Sequence, residues 1–172
     1  MRRPIIGVMG PGEGASSRDR DTAYALGGQI AQRGWILLTG GRDRGVMAAA
    51  SQGAKAAGGL AIGILPGSDL AAVSDAVDIP ILTGLGNGRN IINVLSSQVV
   101  VACGMGAGTA SEIALALKTQ KPVVLLNGTD ASDRFFTSLN PNLTQIATSV
   151  ESTVQRIQML LQKTNPSRIC NE

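Results

Sequence analysis

The stretch from residue 99 to residue 118, "VVVACGMGAGTASEIALALK", carries the decision about the fold. Its first five residues are apolar and β-prone, and read as a buried strand. Gly104, Gly106 and Gly108 then turn the chain. The spacing after them predicts a helix over 109–120, stopped at Lys121-Pro122 because proline cannot continue a helix. A phosphate, a bound cofactor or a tight turn with no ligand would each suit such a loop.

The same unit recurs outward from this stretch. Strands are expected at 4–10, 35–41, 60–67, 77–82, 99–104, 122–128 and 143–149, the fourth at an edge or strand end because it contains Pro80. Helices are expected at 19–33, with Tyr24, Leu26, Ile30 and Ala31 as apolar positions, and at 44–59, 86–98, 109–120 and 150–163. Continuous apolar strands between helices predict a mostly parallel sheet covered on both faces. Residues 1–164 therefore read as one α/β domain, and 165–172 as a polar C-terminal tail.

The composition narrows the function. The chain of 172 residues has no histidine, which excludes a Ser-His-Asp triad and imidazole metal sites. Cys103 ends a strand and reads as a small buried hydrophobe, Cys170 lies in the tail, and no CxxC unit exists. No metal ligand set is expected from the chain. A net charge of +3 without a basic block argues against a nucleic-acid groove and suits a small anion. The absence of a signal-like start or a long apolar run predicts a cytoplasmic chain with no membrane segment.

Several loops could hold that anion. "GPGEGA" matches the loose dinucleotide pattern through Gly10, Gly12 and Ala15, but no acidic residue ends the second strand and Pro11 removes an amide donor. Three others converge at one end of the expected sheet: "GGRDRG" (40–45), "GNGRN" (86–90) and "GMGAGT" (104–109). Glycine turns that feed helix starts expose backbone N–H groups to an anion. If Asn87 caps the third helix, Arg89 falls in its first turn, where a cation is disfavoured by roughly 0.3–1 kcal/mol. An anionic ligand would account for that placement; a solvent-exposed arginine or a local ion pair is the alternative. Asn90 suits either capping or binding. Thr109 and Glu112 have the spacing of a capping box, while Glu112 could equally project into the same cleft as Arg89. Both readings stand at this point.

From Ile5 to about Leu161 these loops resemble the Rossmann-like family of cytokinin-activating phosphoribohydrolases, and more closely its short branch, the molybdenum cofactor carrier proteins. The family loop Pro-Gly-Gly-x-Gly-Thr-x-x-Glu is matched by Gly106, Gly108, Thr109 and Glu112, with Gly104 and Met105 in the first two places. Gly40, Gly41, Gly45, Val46 and Met47 match the earlier Gly-Gly segment. Arg89-Asn90 stands where the hydrolases usually carry Arg-Lys; the carrier branch commonly carries Arg-Asn, and "SEIALALK" is also like that branch.

The resemblance implies a Rossmann-like sheet and non-covalent binding of molybdenum cofactor for storage or transfer. The expected binding residues are Gly10, Gly12, Gly40, Gly41, Arg42, Arg89, Asn90, Gly104, Met105, Gly106, Ala107, Gly108, Thr109 and Glu112. The pterin dithiolene would bring the molybdenum already held. An alternative is a phosphoribohydrolase that cleaves nucleoside 5′-monophosphates, with Arg89 and Glu112 catalytic; a nucleotide-sensing regulatory module is a third. Expected partners are a small phosphorylated ligand, further copies of the chain in a dimer or tetramer, and transiently a molybdoenzyme or cofactor-insertion protein.

Overall fold

Each of the seven segments expected as strands contributes a strand to one sheet. The computed structural model describes residues 2–164. The expected tail at 165–172, with Cys170, lies outside the described residues. In chain order the elements are β1 (Ile5–Met9), α1 (Ser17–Gln32), β2 (Ile36–Thr39), α2 (Gly45–Ala56), β3 (Leu60–Leu65) and β4 (Ile79–Leu82). After a 3-10 turn at Gly86–Arg89 come α3 (Asn90–Ser96), β5 (Val99–Cys103), α4 (Ala107–Lys118), β6 (Val123–Leu126), α5 (Asp130–Leu139), β7 (Thr144–Ala147) and α6 (Val150–Thr164).

The strand order is β4-β3-β2-β1-β5-β6-β7. All six strand pairings are parallel, with Gly7 opposite Leu38 on one side and Val100 on the other. β5 is buried along its whole length, as a central parallel strand must be. Two apolar layers flank the sheet. Leu26 and Ile30 of α1, Val46 and Ala50 of α2, and Val154 and Ile157 of α6 pack on one face. Val94 of α3, Ile113 and Ala116 of α4, and Phe136 of α5 pack on the other. α1 and α2 approach backbone to backbone: a Cβ on Gly27 would lie 2.0 Å from the Ala50 carbonyl oxygen, and one on Gly53 would lie 1.9 Å from that of Tyr24.

Three expectations are corrected and one element is added. Tyr24 is exposed, because it lies off the α1 stripe that buries Ala23, Leu26, Gly27 and Ile30. Asn87 caps nothing: the chain first makes a 3-10 turn, and α3 begins at Asn90 with no side-chain cap. α4 begins at Ala107, two residues earlier than the spacing predicts, with Gly106 as its N-cap. α5 was not expected at all. β4 is the edge strand that Pro80 requires. Cys103 is a free, buried thiol whose pKa burial pushes up to about 12, consistent with a packing role.

Candidate functional site

The chain moves away from β1 through β2 to β4, then returns to pair β5 on β1's other side. Such a reversal leaves a crevice beyond the carboxyl ends of the two central strands, where doubly wound sheets take their ligands. A cleft of about 290 Å³ lies there. Twelve of the fourteen residues expected to bind line it: Gly10, Gly12, Gly40, Arg42, Arg89, Asn90, Met105, Gly106, Ala107, Gly108, Thr109 and Glu112. Val8, Met9, Pro11, Gly14, Met47 and Asn87 complete the lining.

Gly41 and Gly104 stand outside it and serve the turns. Gly41 has φ +73°, and a Cβ there would meet Leu65 at 2.6 Å; Gly104 has φ +77° and sits against the Asp19 carboxyl group. Both need the left-handed backbone that glycine adopts without penalty. Arg89, Glu112 and the α4 glycines therefore face a common space, while these two glycines shape the chain that leads to it.

The mouth of α4 is open. α1 is closed by a capping box of Ser16 and Asp19, and α5 by one of Thr129 and Ser132. Gly106, by contrast, offers α4 no side-chain cap. The Thr109–Glu112 capping box that the spacing allows is not formed: with α4 starting at Ala107, Thr109 is its third residue and Glu112 lies a further turn inside. The amides of Ala107, Gly108 and Thr109 are first-turn donors with no carbonyl of their own helix to reach. Neither nearby glycine is forced by packing. A Cβ at Gly106 would meet Pro11 only at 3.6 Å, and one at Gly108 would meet nothing within 4 Å. Their missing side chains leave room in the cleft.

Beside this mouth lies a buried pair of charges. Arg89 and Glu112 are 7 % and 6 % exposed, with Nη1 and Oε1 3.8 Å apart. Nη1 donates to Asn90 Oδ1, and the Asn93 amide donates to Glu112 Oε1 at 2.8 Å. Burial raises the Glu112 pKa to about 7, against the opposing effects of the Asn93 hydrogen bond and the Arg89 charge. Burial likewise lowers that of Arg89; Glu112 counteracts the shift and the neighbouring Arg42 adds to it.

Polar atoms here lack partners. Arg89 Nε, Arg42 Nε and Thr109 Oγ1 are buried without a hydrogen bond, as is Oδ1 of Asn93 behind Glu112. Buried polar groups are rarely left unpaired, and each costs about 1–3 kcal/mol. Their concentration at an uncapped helix start leaves donors and acceptors that a polar ligand could satisfy. Two guanidinium groups and three amides suit an anion; Met9, Met47 and Met105 add apolar wall. Among the described residues no group of three or more His, Cys, Asp or Glu side chains could hold a metal ion.

Sequence reading missed Asn93 and Ser111. Ser111 accepts from the Asn90 amide at 3.0 Å and donates to the Gly108 carbonyl at 2.7 Å. Asn93 stands three residues beyond Asn90 and on the same helical face, which is the one signal that could have drawn it in.

Residues 3–164 match the SLOG cluster4 family (LDcluster4). Among solved structures, the chain is similar to the molybdenum cofactor binding protein of the phototrophic bacterium Rippkaea orientalis. The two are 60 % identical over 94 % of this chain and 99 % of that one, with a TM-score of 0.91. It is also similar to the molybdenum cofactor carrier protein of Chlamydomonas reinhardtii, 56 % identical over 94 % and 99 % of the two chains, with a TM-score of 0.90. An uncharacterised protein of Archaeoglobus fulgidus is 47 % identical over 127 residues, 73 % of this chain and 82 % of its own length. The chain belongs to the SLOG cluster4 family, in the branch that holds the molybdenum cofactor carrier proteins.

Proposed function

We propose that the chain binds molybdenum cofactor non-covalently and holds it for storage or transfer. The observation that carries this reading is the uncapped start of α4 beside a buried, incompletely bonded arginine. The donor set fits a phosphorylated pterin: the amides of Ala107, Gly108 and Thr109 for the phosphate, Arg89 and Arg42 for its charge, and Glu112 and Thr109 for ring or hydroxyl hydrogens. Gly10, Gly12, Gly40, Asn90, Met105 and Gly106 shape the wall. The bound pterin supplies its own dithiolene ligands for molybdenum. Likeness to the molybdenum cofactor binding protein of Rippkaea orientalis and to the carrier protein of Chlamydomonas reinhardtii supports the same ligand here.

The hydrolase reading asks more of the site. Cleaving an N-glycosidic bond commonly uses two acid–base groups, one for water and one for the leaving base. Among the described residues Glu112 is the one carboxyl group lining the cleft, and Arg42 and Arg89 are poor proton donors. Self-association is proposed through the β4 edge, where Ile79, Ile81 and Leu82 are exposed on a parallel strand of a kind usually covered. Transient contact with a molybdoenzyme or insertion protein would follow from the carrier role, in the cytoplasm. No helix among the described residues is long and apolar enough to cross a membrane.

The test loads the purified chain with molybdenum cofactor, separates it by gel filtration and counts molybdenum per chain. Retention near one per chain, with no free base released from AMP in a parallel incubation, is the expected result. Release of adenine that disappears in Glu112→Gln would replace the carrier reading with the hydrolase.

A further inference from the structure

A buried guanidinium and carboxylate this close gain most by closing into direct, paired hydrogen bonds. Arg89 and Glu112 do not close. Each is held instead by the side-chain amide of an α3 residue: Arg89 Nη1 by Asn90 Oδ1, and Glu112 Oε1 by Asn93 Nδ2. The Asn90 amide is anchored through Ser111 to the carbonyl of Gly108, in the first turn of α4. Asn93 is fully buried and leaves its own Oδ1 unpartnered. An apolar side chain would fill that place without an orphaned acceptor, so the donation to Glu112 is the feature that accounts for an asparagine there.

We propose that Asn90 and Asn93 are positioning residues that keep the Arg89–Glu112 pair open, so that the guanidinium remains available to the ligand's anionic group. Asn93 draws the carboxylate back, and Asn90 fixes the guanidinium to the turn whose amides share the anion. The cation and the helix mouth then act as one preformed clamp. The charged groups around Glu112 are Arg89, from the turn before α3, and beyond it Arg42, from the loop after β2. The inference rests on the anion-site reading above.

The test uses Asn93→Leu, Glu112→Gln and the double variant, with AMP as the probe in titration calorimetry. In Asn93→Leu the freed carboxylate closes on Arg89, and AMP affinity falls about tenfold, the scale of one charge-assisted hydrogen bond. The double variant has no carboxylate to close, and recovers affinity to within about twofold of Glu112→Gln alone. A double variant as weak as Asn93→Leu overturns the proposal, since mere loss of packing would not be rescued. A ligand-free readout is the ¹³C-carboxyl titration of Glu112. Its midpoint falls in Asn93→Leu if the pair closes; a rise, from loss of a donor alone, overturns the proposal. Asn93→Ser serves in both measurements if the leucine variant does not fold. A wild-type chain that holds neither AMP nor molybdenum cofactor overturns the site reading and this inference together. Binding by the wild type with an unrescued double variant overturns this inference alone.

Discussion

Replacing Arg89 with alanine should separate binding from folding, and both magnitudes can be worked from the site. For binding, the variant loses a buried guanidinium with an unpartnered Nε at the uncapped mouth of α4. One or two charge-assisted hydrogen bonds to a phosphate are worth about 1.5–3 kcal/mol, or roughly 10- to 150-fold in affinity. For folding, removing one member of a buried ion pair commonly costs about 3–5 kcal/mol, because the other charge is stranded. Here the stranded group is Glu112, which already titrates near pH 7 and can escape by taking a proton. At pH 6 the carboxyl is mostly neutral, and the remaining loss is packing of the arginine stem, on the order of 1 kcal/mol. At pH 8.5 neutralising it costs about 1.4 kcal/mol more for each pH unit above its midpoint. Urea unfolding at the two pH values gives the stability terms; calorimetry with AMP and molybdenum retention after gel filtration give the binding term. An affinity loss below about threefold would refute the placement of the guanidinium at the anion. So would a destabilisation of about 4 kcal/mol at both pH values, which would make Arg89 a structural ion-pair partner.

Three further outcomes are expected. Because the folded-state pKa of Glu112 is raised from 4.5 to about 7, the folded chain binds more protons than the unfolded chain between about pH 4.5 and 7. Stability from this group therefore falls as pH rises through that window, by up to about 3 kcal/mol, and urea midpoints of Glu112→Gln should lose that slope. Gly108→Ala should leave stability unchanged or raise it by at most about 1 kcal/mol, since the new methyl meets no protein atom. It should also reduce cofactor retention, and unchanged retention would show that the opening is unused. Gly27→Val should cost more than about 3 kcal/mol by thermal unfolding, because its Cβ would collide with the Ala50 carbonyl.

The sheet was legible because parallel strands must be apolar on both faces: "VVVAC" and "PVVLL" admit few other readings. α5 was not, because its ten residues bury only Phe136 and its start is marked by the weak signal of Thr129 and Ser132. The cleft lining followed from glycine turns that end strands at one edge of the sheet. Sequence could not separate the glycines that open the cleft, such as Gly108, from those that turn the chain, such as Gly41, since the distinction depends on φ and on which neighbour a Cβ would meet. Thr109 and Glu112 stayed open to two readings for a similar reason. The T-x-x-E spacing caps a helix only if the helix begins there, and α4 accommodates two more residues before it. Asn93 and Ser111 look like ordinary polar helix positions until α3 and α4 are packed together.

That Glu112 does not cap α4 bears most directly on the proposed carrier role. A carboxylate spent on capping would have left Arg89 as the principal charged group beside the α4 mouth, and the arrangement would suit almost any small anion. Buried one turn inside α4 instead, Glu112 places an acceptor next to a cation and three amides. On the proposed reading, the site would discriminate a phosphorylated ligand that also carries hydrogen-bond donors from a bare phosphate. Its titration near neutrality adds a second consequence. An anion at the mouth of α4 would favour the protonated form of this carboxyl, and that proton would relieve the charge repulsion that opposes binding. For the proposed carrier role, a titratable carboxyl beside a fixed guanidinium would let the charge of the site adjust to an anionic cargo.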